Sequence, residues 1–190
     1  MNNVYIKEES NKEYHGSGAI SRSSIAWLKR TPAYYKWKKE NPELVVSPDL
    51  VFGAAFHKWV LEQDTFGEEF IVMPNFDKRT KKGKDAYAYF LEVSQGRFVI
   101  TQDEFDTILA MEKSLMDNEL ASALLEKGDK EKSIYWQDKL TKIECKCRPD
   151  VLRKIKNRAI IVDLKSCRNA DTNSVVKDFF KFIYDLQSGM

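Results

Sequence analysis

Hydrophobic positions recur at a helical period through most of the first 125 residues and at a strand period from residue 133 to 167. Residues 21–30 predict a helix with Ser21 as N-cap and Ile25 and Leu28 on one face. Thr31-Pro32 interrupts it, and Pro32 suits the first turn of a second helix through Tyr34, Tyr35 and Trp37. Residues 41–49, with Pro42 and Pro48, read as a polar link. Residues 50–62 are apolar almost all round, the pattern of a buried helix. A short strand at 70–73, a charged loop at 75–84, and helices at 85–94 and 102–125 follow. Residues 127–130 form a turn containing Gly128, and residues 133–140, 143–153 and 159–167 read as strands. Another amphipathic helix begins at about 173 and runs to Gln187. Helices, a three-strand meander and a helix predict an α/β (α+β) sandwich rather than a βαβ wheel. The expectation is one domain over 1–190: a helical part at about 15–125, a hairpin at about 133–167 and a C-terminal helix.

The last two strands carry the chemistry. Residues 154–158 form a short polar link in which Asn157 suits a positive φ. If the link is symmetric about Lys156-Asn157, Asp150 lies opposite Asp163, and Arg148 opposite Lys165. Directly opposed residues have Cβ atoms roughly 4.5–5.5 Å apart. Two carboxylates that close repel unless a cation lies between them or one is protonated. Asp163 and Lys165 share a strand face. Two carboxylates and a lysine there can hold a divalent metal beside a phosphate. The plain alternative is a surface hairpin with scattered charges, and Pro149 belongs at an edge or bulge that would shift the register.

Composition limits the rest. The chain has 190 residues, 43% of them hydrophobic, enough for a real core. Net charge is only +2, so any surface for nucleic acid is local. One such surface is the basic run Lys78, Arg79, Lys81, Lys82 and Lys84, either a solvated loop or a clamp on DNA phosphates. The three cysteines, Cys145, Cys147 and Cys167, argue against a disulfide framework. By strand parity Cys145 and Cys147 face away from Asp150, as small core residues. With no apolar leader and no membrane-length run, the chain reads as cytoplasmic.

Gly53 and His57 are one helical turn apart, so they share a face of the 50–62 helix. A histidine there is commonly a core imidazole. Beside two candidate metal-binding carboxylates, His57 becomes a third ligand. Imidazole suits Mn²⁺ better than Mg²⁺, so the site should accept either ion. Glu131 is a further candidate to support the site.

Taken together, Gly53-x-x-x-His57, Arg148-Pro149-Asp150 and Val162-Asp163-Leu164-Lys165 resemble the PD-(D/E)xK nuclease superfamily, and within it the RecE-like exonucleases of phages and prophages. The stretches 21–35, 77–84 and 131–138 support the likeness, which covers roughly residues 15 to 190. The resemblance implies a restriction-endonuclease-like core, a mixed central sheet flanked by helices. It implies digestion of linear double-stranded DNA from the 5′ end in phage-type recombination. It implies a homo-oligomeric ring around the duplex and a single-strand-annealing partner. Asp150, Asp163 and His57 would hold the metal and Lys165 would be the catalytic lysine. Gln187 fits the first position of a Gln-x-x-x-Tyr motif found in many relatives. The chain stops at Met190, one residue before the tyrosine, so a C-terminally shortened domain is expected. Three cysteines do not make the four-cysteine iron–sulfur site of some branches. The alternatives are a structure-specific or single-strand nuclease of the same superfamily, or a non-catalytic DNA-binding domain.

Overall fold

The computed structural model describes residues 4–41, 47–182, 184 and 185. The chain divides into two compact units, one of Met1–Leu44 with Gly128–Met190 and one of Val45–Lys127.

The first unit opens with β1 (Tyr5–Lys7) and α1 (Asn11–Gly16). Both are too short to show a period, and the sequence pattern predicted neither. Ser10 starts α1 with a reciprocal cap: its hydroxyl accepts from the Glu13 amide, and the Glu13 carboxylate accepts from the Ser10 amide. α2 (Arg22–Leu28) begins behind its Ser21 cap, and α3 (Pro32–Glu40) behind Thr31 with Pro32 in its first turn. Both starts are as the sequence predicts.

The second unit opens with α4 (Pro48–Leu61), capped by Ser47. It buries Ala55, Phe56, Val60 and Leu61, while Leu50 stays exposed, so its apolar circumference is only partly covered. After α5 (Phe66–Glu69), strand β2 (Phe70–Met73) leads through α6 (Lys81–Val93) to β3 (Phe98–Thr101). The expected charged loop at 75–84 therefore ends at Thr80, whose hydroxyl caps α6 by accepting from the Gly83 amide. β2 and β3 pair in parallel from Phe70↔Phe98 to Met73↔Thr101. A parallel pair needs a crossover, which α6 supplies. This βαβ unit departs from the expected order, because β3 is too short to stand out in the pattern. The predicted helix 102–125 is two, α7 (Gln102–Met116) and α8 (Glu119–Glu126). The Asn118 side chain accepts from the Ala121 amide, a local bond that competes with helix continuation. Trp59, Phe66, Phe70, Phe98 and Phe105 form an aromatic cluster around the buried Phe66 and Phe70, with neighbouring ring centroids 4.8–5.9 Å apart.

The first unit resumes with β4 (Asp129–Lys130), β5 (Ser133–Gln137), β6 (Glu144–Cys147), β7 (Val151–Ile155), β8 (Arg158–Val162) and α9 (Thr172–Lys181). Its strands form two antiparallel sheets, ordered β1-β5-β6 and β4-β7-β8. The expected single strand 143–153 breaks at Arg148-Pro149-Asp150, since Pro149 has no amide to continue a ladder. The expected meander is consequently two hairpins in separate sheets. The class is α+β, with the described strands shared among three small sheets. No helix among the described residues is long and apolar enough to cross a membrane.

Candidate active site

The β7–β8 hairpin pairs Val151↔Val162 through Ile155↔Arg158, the register that a symmetric link predicts. Lys156, not Asn157, takes the positive φ of 54° in the turn. Asp150 and Asp163 each lie one residue beyond the last ladder pair, at the open end of the hairpin. There the Asp150 carboxylate accepts the Leu164 amide at 2.5 Å. Asp163 Oδ2 and Lys165 Nζ form an ion pair at 2.5 Å, both side chains about one third exposed. Between them Leu164 is buried and anchors the segment. The hairpin therefore gathers two carboxylates and an ammonium where solvent has access.

Neighbouring backbone supports Asp150. The Glu131 amide donates to its carbonyl oxygen at 3.2 Å, and Glu131 takes φ 52° to do so. Glu131 thus meets the site through its main chain. Gly128 lies under β7: a Cβ there would run into Val151 Cγ1 and lie 3.2 Å from the Leu152 carbonyl oxygen. Only glycine fits that approach.

Tyr184, which the sequence did not single out, lies beside Lys165, and Arg22, also not singled out, lies near the same ring. Lys165 Nζ lies 5.3 Å from the Tyr184 ring centroid, and the Arg22 guanidinium lies 6.0 Å from the same centroid. Arg22 Nη2 donates to the Phe182 carbonyl, while its Nε is buried with no hydrogen-bond partner among the described residues. Burial and then the Asp163 charge push the Tyr184 hydroxyl pKa up. Neither residue carried a signal. Arg22 follows a helix cap, and Tyr184 reads as one more apolar position of a helix.

Arg148 is not opposite Lys165, because the ladder stops at Val151. Its guanidinium turns instead onto Ser133, Asn11 and the Glu9 carbonyl. Cys145 and Cys147 are half-buried free thiols on β6, and the fully covered residue between them is Lys146. This reverses the expected core assignment, since Lys146 finds buried hydrogen-bond acceptors that repay its desolvation. His57 lies on α4 of the second unit, half-buried, with Phe56 edge-on at 6.2 Å. Gln187 lies outside the described residues.

In the second unit the basic run is exposed. Arg79 pairs with Asp77 at 2.9 Å, and Lys78 Nζ lies 3.4 Å from the Tyr87 ring centroid. Lys81, Lys82 and Lys84 occupy the first turn of α6. Cations there oppose the helix dipole, a placement that stability alone does not favour.

Among the described residues, no group of three or more His, Cys, Asp and Glu is assembled as a metal cage. The donors that do converge are hard carboxylate oxygens. They suit Mg²⁺ or Mn²⁺, which keep several waters and need few protein ligands.

Residues 21–190 match a family described as a PDDEXK-like domain of unknown function (DUF3799). No curated protein matches the chain. The match spans most of the sequence and includes the hairpin with its two aspartates and lysine. The chain belongs to this PDDEXK-like family, a domain of nuclease-type fold.

Proposed function

We propose that the protein is a metal-dependent deoxyribonuclease, a 5′-to-3′ exonuclease on linear double-stranded DNA in phage-type recombination. The observation that carries this reading is the hairpin mouth, where Asp150 holds the Leu164 amide between Asp163 and Lys165. Asp150 and Asp163 would hold Mg²⁺ or Mn²⁺, with His57 as the third ligand that the resemblance implies. Such an ion would supply a nucleophilic water at neutral pH and offset charge on the scissile phosphate. Lys165, ion-paired to Asp163, acts as an ammonium: it stabilises negative charge developing on the phosphoryl oxygens. Glu131 steadies Asp150 through its amide, and Gln187 is a further candidate on the resemblance alone. Lys78, Arg79, Lys81, Lys82 and Lys84 contact backbone phosphates without reading sequence. The ring-shaped homo-oligomer and the single-strand-annealing partner are proposed on the resemblance to RecE-like exonucleases.

The test is cleavage of end-labelled linear duplex against a covalently closed circle, with Mg²⁺ and with EDTA. Metal-dependent loss of the linear DNA alone is expected, with label released first from the 5′ end. Cutting of the circle would make it an endonuclease. DNA binding without cleavage by the folded protein would make it a non-catalytic binding domain.

A further inference from the structure

We infer that Arg148 is a positioning residue for Asp150, and that residues 9–17 are part of the device that holds it, a role that rests on the nuclease reading proposed above. Arg148 ends the β6 side of the break between the two sheets, and Asp150 begins the β7 side. Only the buried Pro149 separates them. The Arg148 side chain is 8% exposed. Its Nε and Nη2 donate to Ser133 Oγ at 2.9 and 2.7 Å, its Nη1 to Asn11 Oδ1 at 2.6 Å, and its Nη2 also to the Glu9 carbonyl at 3.0 Å. The guanidinium also lies 4.4 Å from the Tyr14 ring centroid.

Two residues later Asp150 is fixed at both ends, its carbonyl by Glu131 and its carboxylate by Leu164. A chain pinned at 148 and at 150 has little freedom to turn the carboxylate away. Lys146 is tied to the same segment: its ammonium donates to the Tyr14 carbonyl and to Ser17 Oγ, and it is only 3% exposed. Burying a guanidinium is costly even when it is fully bonded, and an apolar side chain would stabilise a core more simply. The planar fork instead fixes a direction, which a lysine in its place would not. The partners Glu9, Asn11 and Tyr14 all precede residue 21, where the family match begins. The holding segment is thus a feature of this chain outside the matched region.

The Leu164 amide reports on Asp150 directly, without metal or DNA. Hydrogen exchange by NMR is compared in the full chain, in Arg148→Lys, and in Asn11→Ala, which removes one bond at the solvent edge. Leu164 exchange is expected to rise about tenfold in both variants, while amides of the β7–β8 ladder keep their protection. Mn²⁺ affinity, read by electron paramagnetic resonance, should weaken in step, and kcat should fall with the DNA KM held. Unchanged Leu164 exchange in folded Arg148→Lys would overturn the proposal. So would exchange rising equally along the whole ladder, which is plain loosening. Failure of the wild-type protein to cleave DNA would overturn the proposed nuclease instead, and leaves the Leu164 result standing.

Discussion

The Leu164 amide donates to the Asp150 carboxylate across the mouth of the β7–β8 hairpin at 2.5 Å. Leu164 sits between Asp163 and Lys165, so this bond joins the first aspartate to the segment that carries the second aspartate and the lysine. It continues the ladder by one side-chain link after the backbone pairing ends at Val151↔Val162. An aspartate there accepts this bond and, in the proposed nuclease, would also bind the metal; substitution separates the two.

Asp150→Asn keeps an oxygen to accept the Leu164 amide, whereas Asp150→Ala leaves that amide without its acceptor. The asparagine variant should unfold within about 0.5 kcal/mol of wild type and the alanine variant about 1–3 kcal/mol below it. Both should lose metal-dependent cleavage. Urea titration beside the nuclease assay checks this, and equal destabilisation of the two variants would contradict the hydrogen bond's role.

Lys165→Met removes the ammonium while keeping a similar stem. A drop in kcat of about 10²–10³ is expected, with little change in KM for DNA, as for loss of a group that acts on developing charge. Robust turnover by the purified variant would remove Lys165 from the site.

The lysines at the start of α6 set stability against binding. Lys81, Lys82 and Lys84 replaced together by alanine should stabilise the unit by a few tenths of a kcal/mol each, because they oppose the helix dipole. The same variant should bind duplex DNA more weakly, and its log–log salt slope should fall by about 0.9 for each lost phosphate contact. A salt titration of affinity decides the matter: an unchanged slope returns these residues to an ordinary solvated surface.

Lys156 holds φ 54° in the two-residue turn of the hairpin, a conformation that costs a side-chain-bearing residue roughly 1–2 kcal/mol. Lys156→Gly should therefore raise the melting temperature, with a net gain of about 1 kcal/mol or less after glycine's greater entropy loss on folding. A lower melting temperature would argue against this turn geometry.

Glu9 gives a pH signature. Burial pushes its carboxyl pKa up, but hydrogen bonds from Lys7, Tyr135 and Ser133, with the Lys7 charge, bring it from 4.5 down to about 2. A pKa depressed in the folded state contributes stability above the unfolded value and loses it as pH falls through the folded value. The Glu9 contribution should be whole above about pH 4.5 and fade towards pH 2. The gap in unfolding free energy between wild type and Glu9→Gln should narrow across that window. A gap that stays constant on acidification would refute it.

The sequence by itself determined the local features that single residues enforce. Ser21 and Pro32 marked helix starts, Ile160 to Val162 marked a strand, and the short link 154–158 determined a register that faces Asp150 with Asp163. These followed because caps, β-branched runs and tight turns act over a few residues. The tertiary structure decided what depends on distant partners. It split the 143–153 run between two sheets at Pro149, closed β2 and β3 into a parallel pair, and buried Lys146 between two half-exposed cysteines. It turned Arg148 from Lys165 to Asn11 and Ser133, and brought Tyr184 to the lysine and Arg22 to Tyr184. None of this has a local period. Each outcome rests on which distant acceptor, ring or strand edge satisfies a group leaving water, and only the folded chain supplies those partners.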